Sequence, residues 1–444
     1  HVVFQGDATA DIVQFSVVDG LLQHNLGSRP GFDSNRDLDA ATAGEQALLL
    51  SEIGSLTFND TGNNDRISFQ GSESFEFAAA ALNFSVGDIT VSPGVNISTT
   101  DGAIDLLAAE TILVATAASI STVDGGIALT ANQDASTSSA NTDYFSLHLD
   151  GASISTSGAG PILLEGTGIH SGSNFSAGVG IEGGTTIEST SQAATAGAVS
   201  IVGIGADGTQ SKHGLISRDA GNSLTSAYGN ISVNGVGGFR SDGNGAVYFG
   251  IYLAGLDIAS TGTGPDAAKI SIDGVGGDEV TTCYGVRLAS GNVSISSIDG
   301  DINIVGRGGE ASNTSRQTGV LIEDVAFIRS TGTGSDAANL SINGTVGTAT
   351  EPQTSALASY GVQLTGASTE LSTIDGDITI IGSGGDGGVY RHGVNIDATV
   401  SSTGTGSEAG NISVNGQGGT TADGWGAFIS GSWSTVDGDI NITG

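Results

Sequence analysis

A short unit repeats from residue 87 to the end of the sequence, and this repeat constrains the fold more than any other feature. Each unit contains an apolar strand that is predicted to begin at a glycine, such as Gly214, Gly250 or Gly319, a Ser/Thr-rich segment, and a third segment that ends in glycine. The third segment is the most regular, and copies begin at residues 230, 269, 301, 339, 377, 411 and 439. Polar and apolar residues alternate within each copy, which is the pattern of a β-strand with one buried face.

A repeat of roughly 20 to 40 residues is typical of a solenoid, in which every unit adds one coil to an elongated body. We therefore predict an all-β protein: a parallel β-helix over residues 88–444, with three strands in each of about eleven coils. The 73 glycines suit the many tight turns of such a fold. The outward polar residues of the third strands are expected to stack as a ladder: Ser232, Ser271, Asn303, Ser341, Thr379, Ser413 and Asn441.

The turns between the second and third strands alternate between two sequences. Ser-Thr-Gly-Thr-Gly occupies 260–264, 330–334 and 402–406, whereas Asp-Gly-Asp occupies 299–301, 375–377 and 437–439. Two coils therefore form the repeating unit. Duplication of coil pairs explains this alternation more simply than a functional site at each turn.

The Asp-Gly-Asp turns are also candidate calcium sites. Hard cations bind several carboxylate and carbonyl oxygens. Each turn offers only two carboxylates, and Asp and Gly suit a tight turn without any metal, so we expect no cofactor and keep calcium as the alternative. The candidate ligands are Asp299, Asp301, Asp375, Asp377, Asp437 and Asp439.

Aromatic or imidazole side chains recur just before the opening glycines. Such rings anchor a loop against the rod by burying apolar area, and an exposed row of rings would instead bind sugars by stacking. We favour the structural interpretation and keep the carbohydrate platform as the alternative. The set is His213, Phe249, Tyr284, Tyr360, His392 and Trp425, interrupted by Thr318.

Residues 1–87 do not follow the repeat and are predicted to form a β-rich cap or a preceding module. Five segments read as strands: 12–18, 47–50, 55–58, 66–69 and 75–77. A helix over 40–50 is the competing interpretation, which Gly44 disfavours. The first residue is not Met, and the last segment, Asp439 to Gly444, completes a strand, so we expect the array to continue in a longer parent protein.

The charge of −35, from 47 acidic and 12 basic residues, makes nucleic acid and anionic membranes poor partners. No apolar run is long enough for a transmembrane segment. The six histidines are scattered, and no catalytic or phosphate-binding motif is present, so we expect a protein without enzyme activity.

Ser-Thr-Val-Asp-Gly-Asp-Ile-Asn-Ile at 434–442 and Ser-Thr-Val-Asp-Gly-Gly-Ile-Ala-Leu at 121–129 resemble the repeats of filamentous haemagglutinin-type adhesins and related giant bacterial surface proteins. The resemblance implies a right-handed parallel β-helix in an exported protein. The expected function is a rigid shaft, stalk or fibre at the cell surface, with self-association or neighbouring segments as partners. The alternative is a module whose loop edge binds surface or matrix glycans.

Overall fold

The computed structural model describes residues 1–5, 12–24, 33–34, 46–59, 65–133, 145–169, 175–208, 211–239, 247–278, 282–289, 293–310, 316–324, 326–348, 358–386, 390–420 and 423–444. Almost all regular structure in these ranges is β-strand, and the only helical elements there are two 3₁₀ turns, Leu50–Glu52 and Gly406–Glu408. The loops in which the sequence places most length variation lie largely outside the described residues.

Three parallel sheets run along the molecule, and we name them the opening, second and third sheets after the order of strands in a coil. Separate strands of the opening sheet are Ile12–Val18, Arg66–Phe69, Phe145–Asp150, Ser176–Glu182, Lys212–Ser217, Val247–Leu253, Thr282–Leu288 and Val320–Glu323. Those of the second sheet are Phe75–Phe77, Asn96–Thr99, Ser119–Thr122, Ser153–Thr156, Thr186–Ser189, Asn222–Ser226, Leu256–Ser260, Val293–Ser297 and Ala326–Ser330. Those of the third sheet are Val2–Gln5, Ser55–Asn59, Ile127–Ala131, Ile162–Thr167, Val199–Ile204, Ile231–Val236, Ile270–Val275, Ile302–Arg307, Leu340–Thr345, Ile378–Ser383, Ile412–Gln417 and Ile440–Thr443.

Five long strands pass from one sheet to the next. Ala81–Val91 and Ile104–Val114 run from the third sheet into the opening sheet. Ser359–Thr373, Arg391–Ser402 and Ala427–Thr435 run from the opening sheet into the second. Counted along the opening sheet from Asp88 onward, the chain makes eleven parallel coils, which confirms the predicted β-helix and its coil number.

Equivalent residues pair without slippage along the third sheet, so the predicted polar ladder forms. Ser232 pairs with Ser271, Ser271 with Asn303, and the register continues to Asn441. The alternate residues face inward, and Ile231, Ile270 and Ile302 are almost fully buried. Because polar and apolar residues alternate in the same register on every strand, one face of the third sheet is buried in the core and the other faces solvent.

The opening strands differ from the prediction in one respect. They were expected to begin at a glycine. The strands at Gly214 and Gly250 begin earlier, at Lys212 and Val247, whereas the strand at Gly319 begins directly after it, at Val320. The glycine instead marks a corner where two backbones touch. A Cβ on Gly214 would lie 2.5 Å from the carbonyl oxygen of Gly250, and one on Gly235 would overlap that same oxygen. The corner therefore needs glycine for close approach rather than to start the strand.

The N-terminal residues extend the same sheets and add antiparallel strands. Val2–Gln5 and Ser55–Asn59 stack on the third sheet, whereas Leu21–His24 pairs antiparallel with Ile12–Val18 and with Gln46–Leu49. The predicted strands at 12–18, 55–58, 66–69 and 75–77 are present. Residues 46–49 are strand rather than helix, and 40–45 lie outside the described residues.

At the N-terminal end the core is filled mainly by phenylalanine rings, whereas in the coils it is filled by Ile, Val and Leu side chains. The buried rings contact one another at centroid distances of 5.3 to 6.4 Å and form one cluster with the aliphatic columns. The rings are Phe4, Phe15, Phe58, Phe69, Phe75 and Phe84. One apolar core therefore runs from Val2 to Val414.

Candidate functional site

The predicted ring residues do stack as a column on the outside of the opening sheet, and we call them the ring column. His213 and Phe249 have centroids 4.9 Å apart, and Phe249 and Tyr284 lie 5.5 Å apart with nearly parallel planes. After the gap at Thr318, His392 lies 5.2 Å from Tyr360 and 5.1 Å from Trp425. The column is thus two stacks separated by one threonine.

Most of the ring column is buried. Phe249, Tyr284 and His392 are each at most 7% exposed, whereas Tyr360 is half-buried and Trp425 is 55% exposed. Buried ring faces contribute packing energy and cannot offer a surface to a sugar. Exposed ring area is therefore concentrated at Trp425, whose ring also stacks on Phe428 at 5.6 Å.

The sequence pattern missed two members of the first stack. Phe145 pairs in register with Ala177, and Ala177 pairs with His213, so Phe145 occupies the same column. Phe175 fills the space beside the small Ala177 and lies 5.0 Å from His213. Neither residue precedes an opening glycine directly, and strand register was the signal needed to find them.

Both histidines of the ring column accept a backbone hydrogen bond through Nδ1. The N–H of Phe249 donates to His213 at 3.0 Å, and the N–H of Trp425 donates to His392 at 3.1 Å. Burial lowers the pKa of His213 to about 3, and the positive charges of Arg218 and Lys212 lower it further. Burial also lowers the pKa of His392. Both rings are therefore neutral at pH 7, with the proton on Nε2.

Two buried cationic side chains belong to residues that directly precede ring-column residues in the sequence: Lys212 precedes His213, and Arg391 precedes His392. Lys212 is fully buried, and burial lowers its pKa to about 8. Arg391 is also fully buried, with a pKa lowered to about 10 by burial. Its guanidinium donates to the carbonyl of Gly347 at 2.7 Å, to the carbonyl of Asp386 and to the side chain of Gln317. Arg391 thus links its own coil to the two preceding coils through hydrogen bonds.

Two arginines cover the ring column from outside. Arg287 lies 5.5 Å from the Phe249 ring centroid and 5.9 Å from that of Tyr284, and it pairs with Glu323 at 2.8 Å. Arg218 lies over Phe145 and Phe175 in the same manner and pairs with Glu182.

Glu182 is shared between Arg218 and His148. Burial disfavours its charge, but the hydrogen bonds from His148 and Arg218 outweigh burial and lower the pKa of Glu182. These cation–π and ion-pair contacts add packing across coils.

The first aspartate of each Asp-Gly-Asp turn accepts a hydrogen bond from the preceding coil. Gly264, Gly334 and Gly406 are the last residues of the three Ser-Thr-Gly-Thr-Gly turns, and each has a left-handed φ of 80° to 85°. Their backbone N–H groups donate at 2.7 Å to Asp299, Asp375 and Asp437, respectively. The Ser-Thr-Gly-Thr-Gly turn thus supplies the donor, and the Asp-Gly-Asp turn the acceptor, of one hydrogen bond between successive coils.

The second aspartate belongs to a separate chain of side-chain to backbone contacts. Asp301 accepts a hydrogen bond from the Asn339 backbone N–H at 3.2 Å, and Asn339 accepts one from Asp377 at 2.9 Å. Asp377 and Asn411 continue the series to Asp439. Burial opposes the charge on Asp301, but hydrogen bonds from Lys269 and Asn339 lower its pKa.

All six candidate calcium ligands therefore lie in turns where aspartates bond to neighbouring coils. Within the described residues, no group of three or more His, Cys, Asp or Glu side chains is placed to hold a metal ion. The same part of the chain contains no helix long and apolar enough to cross a membrane.

Comparisons with known proteins give no relative from which a function can be transferred. No family model, no curated protein and no solved structure matches the chain.

Proposed function

We propose that this chain is a rigid shaft segment of an extracellular bacterial fibre, stalk or adhesin. The observation that carries the proposal is the unbroken parallel pairing of eleven coils around one apolar core. Stacked strands lie ~4.8 Å apart, so eleven coils span on the order of 50 Å. Contacts between successive coils, such as Gly264 with Asp299, resist bending and slippage.

The proposed role is mechanical rather than catalytic, and export to the cell surface is part of the proposal. The likeness of residues 121–129 and 434–442 to adhesin repeats supports it, as does the acidic surface, because self-repulsion keeps an exposed rod soluble. Its partners would be neighbouring segments of a longer protein or other copies of the rod. Loops at the corner between the third and opening sheets would supply any further contacts.

Immunogold labelling of cells that make the protein tests this role. Antibodies raised against the chain should decorate filaments or stalks outside the cell at regular intervals. Labelling confined to the cytoplasm, or to dispersed monomers in the medium, would overturn the proposal.

Glycan binding at the loop edge is the second candidate function, and one observation favours it. In the last coil of the sequence, which no further coil covers, Trp425 presents a largely exposed ring beside the exposed Phe428, as a sugar-stacking site requires. A glycan array should then lose its signal with Trp425→Ala and keep it with Phe249→Leu, whose ring is buried. A signal that both variants retain would remove this candidate.

A further inference from the structure

The structure also contains a cleft of ≈1000 Å³ between the N-terminal segment and the outer surface of the second sheet. Its wall comes from the turn at Gly20 and from Leu49, Leu50 and Ser51. Its floor comes from the first strands of the second sheet. We refer to it as the N-terminal cleft.

The wall of the N-terminal cleft is fixed against the coils. Glu73 accepts hydrogen bonds from the backbone N–H groups of Asp19 and Gly20 at 3.2 and 3.4 Å, and both of these residues have left-handed φ. The N–H of Leu50 donates to the carbonyl of Gly20 at 3.2 Å, and the Leu50 side chain is buried. The cleft is therefore preformed rather than created by a ligand.

The floor offers side-chain hydroxyls in a regular row. Ser98, Ser121 and Ser155 pair in register on three successive coils, so their hydroxyls lie ~4.8 Å apart along the rod. These three hydroxyls make no hydrogen bond with the described residues. The backbone groups beneath them already pair between coils, so a bound peptide strand would find no free sheet edge here.

The charged residues that line the cleft are acidic and therefore disfavour an anionic ligand. Glu73 and Glu76 line one end, and no Lys or Arg is among the lining residues. With a net charge of −35 on the chain, an anionic ligand would be repelled. Leu49 and Val123 are 45% and 39% exposed and add apolar surface beside the hydroxyls.

We propose that the N-terminal cleft binds a linear neutral glycan lying along the rod axis. A polyol matches a floor of unpaired hydroxyls and the Glu76 carboxylate as a hydrogen-bond acceptor beside Ser98, and its apolar C–H faces match Leu49 and Val123. A linear chain that lies along the rod axis would pass Ser98, Ser121 and Ser155 in turn, because these serines pair in register on successive coils. This site is independent of Trp425 and of the proposed shaft role.

The experiment measures binding of linear hexasaccharides of glucose, mannose and xylose to the full chain by calorimetry. At least one should bind, and Ser121→Phe, which fills the floor, should weaken that binding at least tenfold. Ser296→Phe is the matched control, because Ser296 is equally half-buried in the same outward column but lies four coils beyond the cleft. Its affinity should equal that of the unmodified chain.

Three results would overturn the proposal: no binding of any neutral hexasaccharide, equal binding by Ser121→Phe and the unmodified chain, or binding of acidic glycans alone. Unchanged melting temperatures of both variants show that the rod is intact. Rod images of the same samples test the shaft geometry separately, so failure of one proposal is distinguishable from failure of the other.

Discussion

The carboxylate of Asp299 accepts a 2.7 Å hydrogen bond from the backbone N–H of Gly264, one coil earlier. The same contact recurs between Gly334 and Asp375 and between Gly406 and Asp437. It explains why two turn sequences alternate: a left-handed glycine in one coil presents an N–H group, and the aspartate of the next coil accepts it.

Replacing Asp299 with Ala should lower the free energy of unfolding by about 1–3 kcal/mol, because the Gly264 N–H loses a charged acceptor. Asp257→Ala is the control, since Asp257 is exposed on the outer face of a neighbouring strand. Denaturant unfolding measures both variants. Equal effects of the two substitutions would show that the contact stabilises nothing.

Calcium should leave the melting temperature unchanged, because five of the six Asp-Gly-Asp carboxylates already accept backbone hydrogen bonds from neighbouring coils. Calorimetric scans with added Ca²⁺ and with a chelator check this expectation. A rise in melting temperature with Ca²⁺ that Asp375→Asn abolishes would instead establish a calcium site.

Replacing Gly235 with Ala should lower the free energy of unfolding by more than about 3 kcal/mol, since its new Cβ would overlap the Gly250 carbonyl oxygen. Gly54→Ala should change it little, because a Cβ there meets nothing within 4 Å. Thermal unfolding of the two variants provides the comparison, and a benign Gly235→Ala would contradict the close approach at the corner.

Acidification should destabilise the ring column through His213. The pKa of His213 in the folded chain is about 3, below the ordinary value of about 6.5, so acid favours the unfolded chain, which binds the proton more readily. The stability that His213 contributes is therefore complete above about pH 6.5 and is lost as the pH falls toward 3. Between pH 7 and 4.5 the unmodified chain should lose about 2 kcal/mol more stability than His213→Phe. Parallel losses in the two proteins would mean that His213 does not carry this dependence.

Truncating a buried ring should cost more than truncating an exposed one. Phe249→Ala should destabilise the chain by about 3–5 kcal/mol, because the ring contacts His213 and Tyr284. Trp425→Ala should cost clearly less, since Trp425 is 55% exposed. Urea unfolding of both variants decides the matter, and the reverse order would contradict a structural role for the ring column.

The sequence predicts most of the fold because strand periodicity and turn residues are local signals. The third strands follow from alternation alone, and Ser232 and Asn441 lie in the predicted ladder. The start of the opening strand was mispredicted because a glycine required by a close backbone contact was taken as a strand boundary.

Features that join distant coils were not predictable. Alternating turns were visible in the sequence, but the bond from Gly264 to Asp299 depends on coil stacking and register. Phe145 joins the ring column only through strand pairing. The N-terminal cleft brings Leu49 and Ser121 together through the fold, and no local pattern relates them.

The distance between spin labels on one outward column tests the coil stacking most directly. Glu188 and Ser401 lie in the same column six coils apart, so labels there, in a Cys283→Ser background, should give a narrow distribution near ~29 Å. Moving the second label from Ser401 to Ser372, one coil closer, should shorten the distance by ~4.8 Å. A broad distribution, or a distance that does not change by one strand spacing, would contradict the rod.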